Sequence, residues 1–186
     1  MIRDGVARRF FQGTSIMTTT GFVTADFDTW PNASRILLVL LMFIGGCAGS
    51  TGGGMKVVRV GIVLKKVRRE IRRFIRPQAV WAVKLGKKPV EQSIISHISG
   101  FIIMFVMLFG ITTFLMTFFT PDVETAFTSV IATMGNIGPG LAGVGATQNY
   151  ADIPALGKGI LTFCMLLGRL ELYTVLIVLL PSTWRK

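Results

Sequence analysis

An uncharged apolar stretch, residues 93–119, constrains the fold of this chain more than any other feature. Its sequence is SIISHISGFIIMFVMLFGITTFLMTFF, and about 20 apolar residues in a row are enough for a helix to cross a bilayer. Residues 33–46 and 157–180 are also apolar, and the chain of 186 residues is 51% hydrophobic with a mean hydropathy of +0.62. A soluble domain of this length has no use for so much apolar sequence. We therefore predict an all-α membrane protein.

The formal net charge of +11 is concentrated in one segment. Residues 56–92 contain most of the 20 Lys and Arg residues, opposed there by Glu70 and Glu91. A basic block beside apolar segments marks the cytoplasmic side of a membrane protein, so we predict that residues 56–92 are cytoplasmic. The alternative is a nucleic-acid-binding patch. It is disfavoured because no recognition fold is visible and membrane segments flank the block, and we expect no nucleic-acid partner.

Two short stretches resemble each other and lie in similar surroundings: Thr18-Thr19-Thr20-Gly21-Phe22 and Ala132-Thr133-Met134-Gly135-Asn136. The first stretch follows residues 5–17, and the second begins in the last turn of residues 122–134. We predict that both of these segments are short helices that do not cross the membrane. A cation in a membrane needs oxygens that replace its water, and backbone carbonyls and Thr hydroxyls supply them. Glycine lets the backbone expose its carbonyls. The alternative is that the glycines merely end helices in packed loops. The predicted filter residues are Thr19, Thr20, Gly21, Thr133, Met134 and Gly135.

A glycine-rich segment interrupts the apolar region between the two stretches. Residues 33–46 are too short to cross a membrane alone and run into GGCAGSTGGG, residues 45–54, after which a helix is predicted to restart at Met55. Broken membrane helices point to a transport site. A phosphate-binding loop is excluded, because Lys56 does not have the required neighbours and no soluble strand precedes the glycines.

The chain contains an internal repeat. Thr14-Ser15 before Gly21 corresponds to Thr128-Ser129 before Gly135, 114 positions later, and Gly45 corresponds to Gly168, 123 positions later. Each copy is predicted to contain a short helix, a tip formed by the glycine-containing stretch at residues 18–22 or 132–136, a polar turn, and a spanning helix broken near its middle. The second copy also has a leading span. The tips are predicted to open to the external side together with acidic turns that contain Asp26, Asp28, Asp122, Glu124 and Asp152.

Two charges lie inside the last apolar segment, at Arg169 and Glu171. Charges at membrane depth are costly and usually face a cavity or a partner. We predict that Arg169 lies near the glycine-rich segment and forms a barrier to cations, the alternative being a structural Arg169–Glu171 pair. Cys47 and Cys164 have no metal-ligand spacing and His97 is the only histidine, so neither an enzyme nor a bound cofactor is expected.

Four stretches carry a resemblance to a known family: FFQGTSIMTTTGF, GGCAGSTGGGMKVVR, ATMGNIGPGL and LLGRLELYTVLIVLLP. They resemble the Trk/Ktr/HKT superfamily of potassium transporters, most closely its bacterial TrkH branch. The family has a potassium-channel-like fold of four span–pore helix–span repeats with re-entrant filter loops around one pore. The resemblance implies that residues 1–76 are a partial third repeat with a glycine-interrupted helix, 77–92 a cytoplasmic linker or hairpin, and 93–186 a complete fourth repeat.

The resemblance also implies roles for individual residues. K⁺ would be the permeating ion, held by the carbonyls of Thr20, Gly21, Met134 and Gly135. The gate would consist of an intramembrane loop and Arg169; the loop residues are Gly46, Gly49, Ser50, Thr51, Gly52, Gly53 and Gly54. Further implications are a multi-pass location in the inner (plasma) membrane among its lipids, a homodimer, and a cytosolic nucleotide-binding subunit of the TrkA or KtrA type. The expected function is potassium uptake; the alternative is a truncated, non-conducting membrane assembly or interaction subunit.

Overall fold

Among the residues that the structure describes, nearly all regular structure is helical. The computed structural model describes residues 2–47, 49–50, 52–76, 78, 82–86, 88–170, 174–175, 177 and 184, with the side chains of residues 2–4 left aside. The helices are α1 (Ile2–Met17), α2 (Asn32–Phe43), α3 (Val57–Ile75), α4 (Gln92–Met116), α5 (Val123–Met134) and α6 (Ala155–Arg169), with a 3₁₀ turn at Ala142–Val144. Two pairs of short strands complete the fold: β1 (Ile44–Gly45) is parallel to β2 (Met55–Lys56), and β3 (Lys84–Leu85) is antiparallel to β4 (Lys88–Pro89).

Helix α4 alone, among the described helices, is long and apolar enough to cross a membrane by itself. It has 25 residues and a mean hydropathy of 2.3. It ends at Met116, three residues before the predicted end, where the Thr117 N–H bonds the carbonyls of Thr113 and Phe114 in a tightened last turn. The apolar helices α2 and α5 are shorter. A membrane protein built from such helices must bury their ends among other polar groups.

Helices α2 and α6 begin in the same way. Each follows an extended proline, Pro31 with φ −54° and ψ 144°, and Pro154 with φ −56° and ψ 154°. The two prolines are 123 positions apart, the separation predicted from Gly45 and Gly168. Helix α6 ends at Arg169, within the apolar segment 157–180 in which a break was predicted. Most of the segment beyond it lies outside the described residues.

Helix α5 is the buried centre of the fold. Between Thr125 and Met134 every residue except Phe127 is buried, and the helix packs against α4 on one side and α6 on the other. Phe127 also stacks edge-to-face on Phe109, with ring centroids 5.0 Å apart, and lies 6.2 Å from the ring of Phe43. These aromatic contacts join α2, α4 and α5.

The basic helix α3 runs beside the first turns of α4. The Lys66 ammonium donates to Ser99 Oγ at 2.9 Å, and Arg69 Nη1 donates to Gln92 Oε1 at 3.1 Å. Ile62, Val83 and Ile95 form a small apolar cluster between these elements. The opposite side of α3 exposes an apolar stripe of Leu64, Val67, Ile71, Phe74 and Ile75.

Candidate functional site

The chain after α1 and the chain after α5 form the same backbone turn. The N–H groups of Thr20 and Gly21 bond the Ser15 carbonyl at 2.9 and 3.5 Å, and those of Ile137 and Gly138 bond the Ala132 carbonyl at the same two distances. In this turn Gly21 has φ +74° and Gly138 has φ +104°. We call residues 18–22 the first tip and residues 135–139 the second tip. Equivalent positions in the two tips are 117 apart.

The predicted correspondence of Gly21 with Gly135 was therefore wrong by three positions. Gly135 has φ −75° and ψ −13° and closes the last turn of α5 through its N–H to the Ile131 carbonyl. The prediction aligned Thr-Ser pairs, whereas the turn depends on where the backbone reaches positive φ. Asn136 and Gly138, two residue types that tolerate positive φ, were the signal that could have given the register.

The predicted filter residues consequently lie in two different settings. Thr133 and Met134 are buried in the last turn of α5, where the Thr133 hydroxyl bonds the carbonyls of Ser129 and Val130. Thr20 lies in the first tip with its hydroxyl 2.7 Å from that of Thr18. The two tips are in direct contact, because the Ile137 carbonyl oxygen occupies the place that a side chain on Gly21 would need.

The glycine-rich segment folds back on itself beneath a short strand pair. Parallel pairing of β1 with β2 brings Ile44 beside Met55 and Gly45 beside Lys56, and the Val57 N–H bonds the Gly46 carbonyl at 3.3 Å. We call residues 46–54 the glycine loop. Gly46, Gly49, Ser50, Gly52, Gly53 and Gly54 are described, whereas Ala48 and Thr51 lie outside the described residues.

Lys56 holds the glycine loop in shape, a role that the sequence analysis missed. Its ammonium donates to the carbonyl of Ser50 and, at 3.1 Å, to that of Gly52. A loop within a membrane needs partners for its carbonyls, and a positive charge is a strong one. The signal was a lysine directly after the glycine run.

The glycine loop packs against both tips. A methyl group on Gly52 would lie 2.9 Å from Thr19 Oγ1. One on Gly53 would lie 2.6 Å from the Gly135 carbonyl oxygen and 3.0 Å from Asn136 Nδ2. The loop comes this close because neither glycine has a side chain.

Arg169 shares a cavity with the glycine loop. The cavity has a volume of about 80 Å³. Its lining consists of Ser50, Gly52, Gly54, Lys56, Arg59, Phe101, Phe105, Leu167, Gly168 and Arg169. Three cationic residues, Lys56, Arg59 and Arg169, therefore line one small space. The alternative partner of Arg169, Glu171, lies outside the described residues.

An ionic cluster joins the two halves of the chain near the helix starts. Arg35 pairs with Glu124 and lies 3.6 Å from Asp28 Oδ1, which also accepts a hydrogen bond from the Ala142 N–H at 3.2 Å. Burial raises the pKa of Asp28, while the Ala142 N–H and the charge of Arg35 act in the opposite direction. The cluster connects the turn after the first tip to the turn after the second.

Comparison with known proteins agrees with this arrangement. Residues 3–185 match the family model described as TrkH, cation transport protein. The Trk system potassium uptake protein TrkH of Halomonas elongata is 46% identical over 183 residues, covering 98% of this chain and 38% of that protein. The protein of the same name from Escherichia coli strain K12 is 39% identical over 181 residues, covering 97% of this chain and 37% of its own length.

A solved structure is similar over the whole chain. The crystal structure of the potassium transporter TrkH from Vibrio parahaemolyticus matches with a TM-score of 0.89 and 38% identity, covering 100% of this chain and 39% of that one. The chain thus spans under two fifths of the length of each of these three proteins. The predicted all-α membrane fold and the resemblance are confirmed. The chain belongs to the TrkH family of cation transport proteins.

Proposed function

We propose that this chain supplies two of the four filter segments, and the gate, of a pore that takes up potassium across the inner (plasma) membrane. The observation that supports this most is that two equivalent glycine tips contact each other and a loop that shares a cavity with Arg169. Relatives of the chain are named potassium uptake proteins. K⁺ would be the permeating ion, with no bound cofactor.

In this pore the filter residues of the second tip lie three positions after the ones predicted from the sequence. Thr19, Thr20 and Gly21 remain candidates in the first tip, and their structural equivalents in the second tip are Asn136, Ile137 and Gly138. Positive φ turns successive carbonyls in directions that a helix does not allow, and a K⁺ ion is bound by rings of such carbonyls. Thr133, Met134 and Gly135 would instead support the second tip as the end of its pore helix.

The gate proposal combines the glycine loop with the cations of the cavity. A positive charge below a filter repels an arriving K⁺, and a loop in the same place obstructs it. Arg169 and Lys56 provide the charge, and the bonds from Lys56 to the carbonyls of Ser50 and Gly52 keep the loop in the path. Movement of the loop away from the tips would open the pore.

The domain and partner assignments are part of the same proposal. Residues 1–76 correspond to a third repeat from its pore helix onward, 77–92 to a cytoplasmic linker and 93–186 to a fourth repeat. The exposed apolar stripe of α3 lies beside basic side chains and offers a surface for a second copy or for a cytosolic nucleotide-binding subunit. Membrane lipid would cover the outer face of α4.

Reconstitution of a complete pore that includes this chain, which we call the full-length transporter, tests the proposal. Vesicles should take up Rb⁺, a K⁺ substitute, in preference to Na⁺. Lys56→Met should raise the Rb⁺ uptake rate several-fold, because it removes both a loop restraint and a positive charge. Lys56→Arg, which keeps the charge, is the matched control and should stay near the unsubstituted rate.

Two results would contradict the proposal. Binding of lipid or a cytosolic subunit with no cation flux would favour the non-conducting interaction protein. Equal Rb⁺ uptake by the Lys56→Met and Lys56→Arg variants would show that the lysine and its loop do not limit conduction. The amount of folded protein in the vesicles is measured for each variant, so that flux is compared per molecule.

A further inference from the structure

Two residues in equivalent positions of the tips have an unusual backbone. Among the described residues other than glycine, positive φ occurs at Thr19 (54°), Asn136 (53°) and Ala142 (53°). Thr19 and Asn136 are 117 positions apart and therefore correspond to each other. Positive φ is uncommon for asparagine and an outlier for a β-branched threonine. Such strain is concentrated at functional sites, where surrounding contacts maintain it.

The glycine loop contacts both residues. Gly52 faces Thr19, since an added methyl would lie 2.9 Å from its Oγ1 and 3.5 Å from its Cγ2. Gly53 faces Asn136, since an added methyl would lie 3.0 Å from its Nδ2. Consecutive residues of one loop thus touch the strained residue of each tip.

Asn136 has a further contact on the other side of the gate. Its Nδ2 donates to the Met165 carbonyl at 3.1 Å, and a methyl on Gly168 would lie 3.0 Å from the same nitrogen. Gly168 directly precedes Arg169 at the end of α6. Asn136 therefore contacts both structures that line the cavity, the loop and the broken helix.

We propose that Thr19 and Asn136 form a coupling pair, through which the position of the glycine loop sets the backbone conformation of both tips. The inference rests on the proposed function and adds a consequence to it: opening of the gate changes the ion selectivity of the filter. When the loop leaves, Thr19 and Asn136 lose the contacts that maintain positive φ, and the carbonyls beside them turn. Thr19 and Asn136 act here as positioning residues.

A double-mutant cycle on Thr19 and Gly52 tests the coupling. Gly52 has no positive φ, so Gly52→Ala is disfavoured mainly by its approach to Thr19. The Rb⁺/Na⁺ uptake ratio of the full-length transporter is measured with and without Gly52→Ala in three backgrounds: Thr19, Thr19→Ser and Thr19→Gly. We expect Gly52→Ala to shift the ratio at least about threefold where a hydroxyl is present, and not in Thr19→Gly. Gly61→Ala, whose methyl meets nothing within 4 Å, is the matched control.

A second double-mutant cycle, on Asn136 and Arg169, tests the coupling without the Thr19 variants, in case these fold poorly. Asn136→Gly permits the same backbone and removes the amide. Arg169→Gln, which lowers the barrier of the gate, should shift the Rb⁺/Na⁺ ratio at least about threefold with Asn136 and not with Asn136→Gly. Additive effects in both cycles would overturn the coupling pair. Absence of Rb⁺ uptake or of Rb⁺/Na⁺ discrimination in the unsubstituted transporter would instead overturn the proposed function.

Discussion

The two tips have one backbone turn and different means of holding it. In the first tip the Ser15 hydroxyl, on the helix that precedes the tip, donates to the Phe22 carbonyl at 2.8 Å. In the second tip the position of Ser15 is taken by Ala132, and the Tyr150 hydroxyl, from the following loop, donates to the Gly138 carbonyl at 2.6 Å. The same conformation is therefore reached by a local anchor in one case and by a distant one in the other.

The helices behind the tips differ in a related way. Helix α5 is enclosed by α4 and α6, whereas α1 packs on α2 and leaves Phe10 74% and Phe11 44% exposed. Each helix nevertheless bonds a carbonyl 13 positions further on, from Gln12 to Ala25 and from Thr128 to Leu141. Both helices are thus bonded to carbonyls that follow their tips, while the surrounding packing differs.

The largest expected effect comes from the glycines that give the tips their shape. Gly21→Ala and Gly138→Ala each force a side chain into positive φ, at a cost of about 1–2 kcal/mol. At Gly21 the new methyl would also overlap the Ile137 carbonyl, whereas at Gly138 nothing lies within 4 Å. Gly21→Ala should therefore abolish Rb⁺/Na⁺ discrimination, and Gly138→Ala should reduce it by a smaller factor.

Ion-uptake ratios of the full-length transporter measure both variants, with Gly159→Ala in α6 as a control that meets nothing within 4 Å. A larger loss for Gly138→Ala than for Gly21→Ala would show that the contact between the tips does not matter.

A smaller effect is expected from the anchors. Ser15→Ala and Tyr150→Phe each remove one hydrogen bond to a tip carbonyl, worth about 0.5–1.5 kcal/mol. Burial raises the pKa of Tyr150 well above its usual range, so its hydroxyl remains a donor at physiological pH. The Tyr150 hydroxyl bonds a carbonyl of the second tip, and the Ser15 hydroxyl bonds a carbonyl of the first. Tyr150→Phe should therefore loosen the second tip and leave the first unchanged.

Hydrogen exchange followed by mass spectrometry distinguishes the two anchors. Peptides that cover residues 135–139 should exchange faster in Tyr150→Phe, and those that cover residues 18–22 should exchange faster in Ser15→Ala. Thr117→Val, which removes a hydroxyl that donates to the Phe114 carbonyl at the end of α4, should change neither. Faster exchange of both tips in either variant would mean that the anchors are not independent.

The smallest expected effect concerns the pH dependence of the ionic cluster behind the tips. Folding raises the pKa of Asp28, so the folded state favours the neutral acid. The stability that this carboxyl contributes is therefore fully present at pH below the unfolded-state pKa and is lost as pH rises through the folded-state pKa. Asp28→Asn should therefore raise the melting temperature slightly at pH 7, and the difference should shrink as the pH is lowered toward 4. Thermal unfolding in detergent at several pH values measures this. A melting temperature lowered at pH 7 would show instead that the Asp28–Arg35 attraction outweighs the cost of burial.

Much of the fold follows from local features of the sequence. The span at residues 93–119 was predicted from uninterrupted hydropathy, and helix α4 lies there, at Gln92–Met116. The short helix before each tip and the interruption between Gly45 and Met55 were also predicted, because apolar periodicity, prolines and glycine runs act on nearby backbone. The first tip was located correctly for the same reason, whereas matching Thr-Ser pairs misplaced the second by three positions.

The sequence by itself determined a helical membrane chain with two re-entrant tips, an interrupted helix and a basic side. Only the tertiary structure decided which glycine of the second tip corresponds to Gly21, that Lys56 bonds the carbonyls of the glycine loop, and that Gly52 and Gly53 contact Thr19 and Asn136. The physical reason is the range of the interactions. Hydropathy and backbone propensity are encoded within a few residues, whereas the contacts made by Thr19 and Asn136 come from a loop that is distant in sequence.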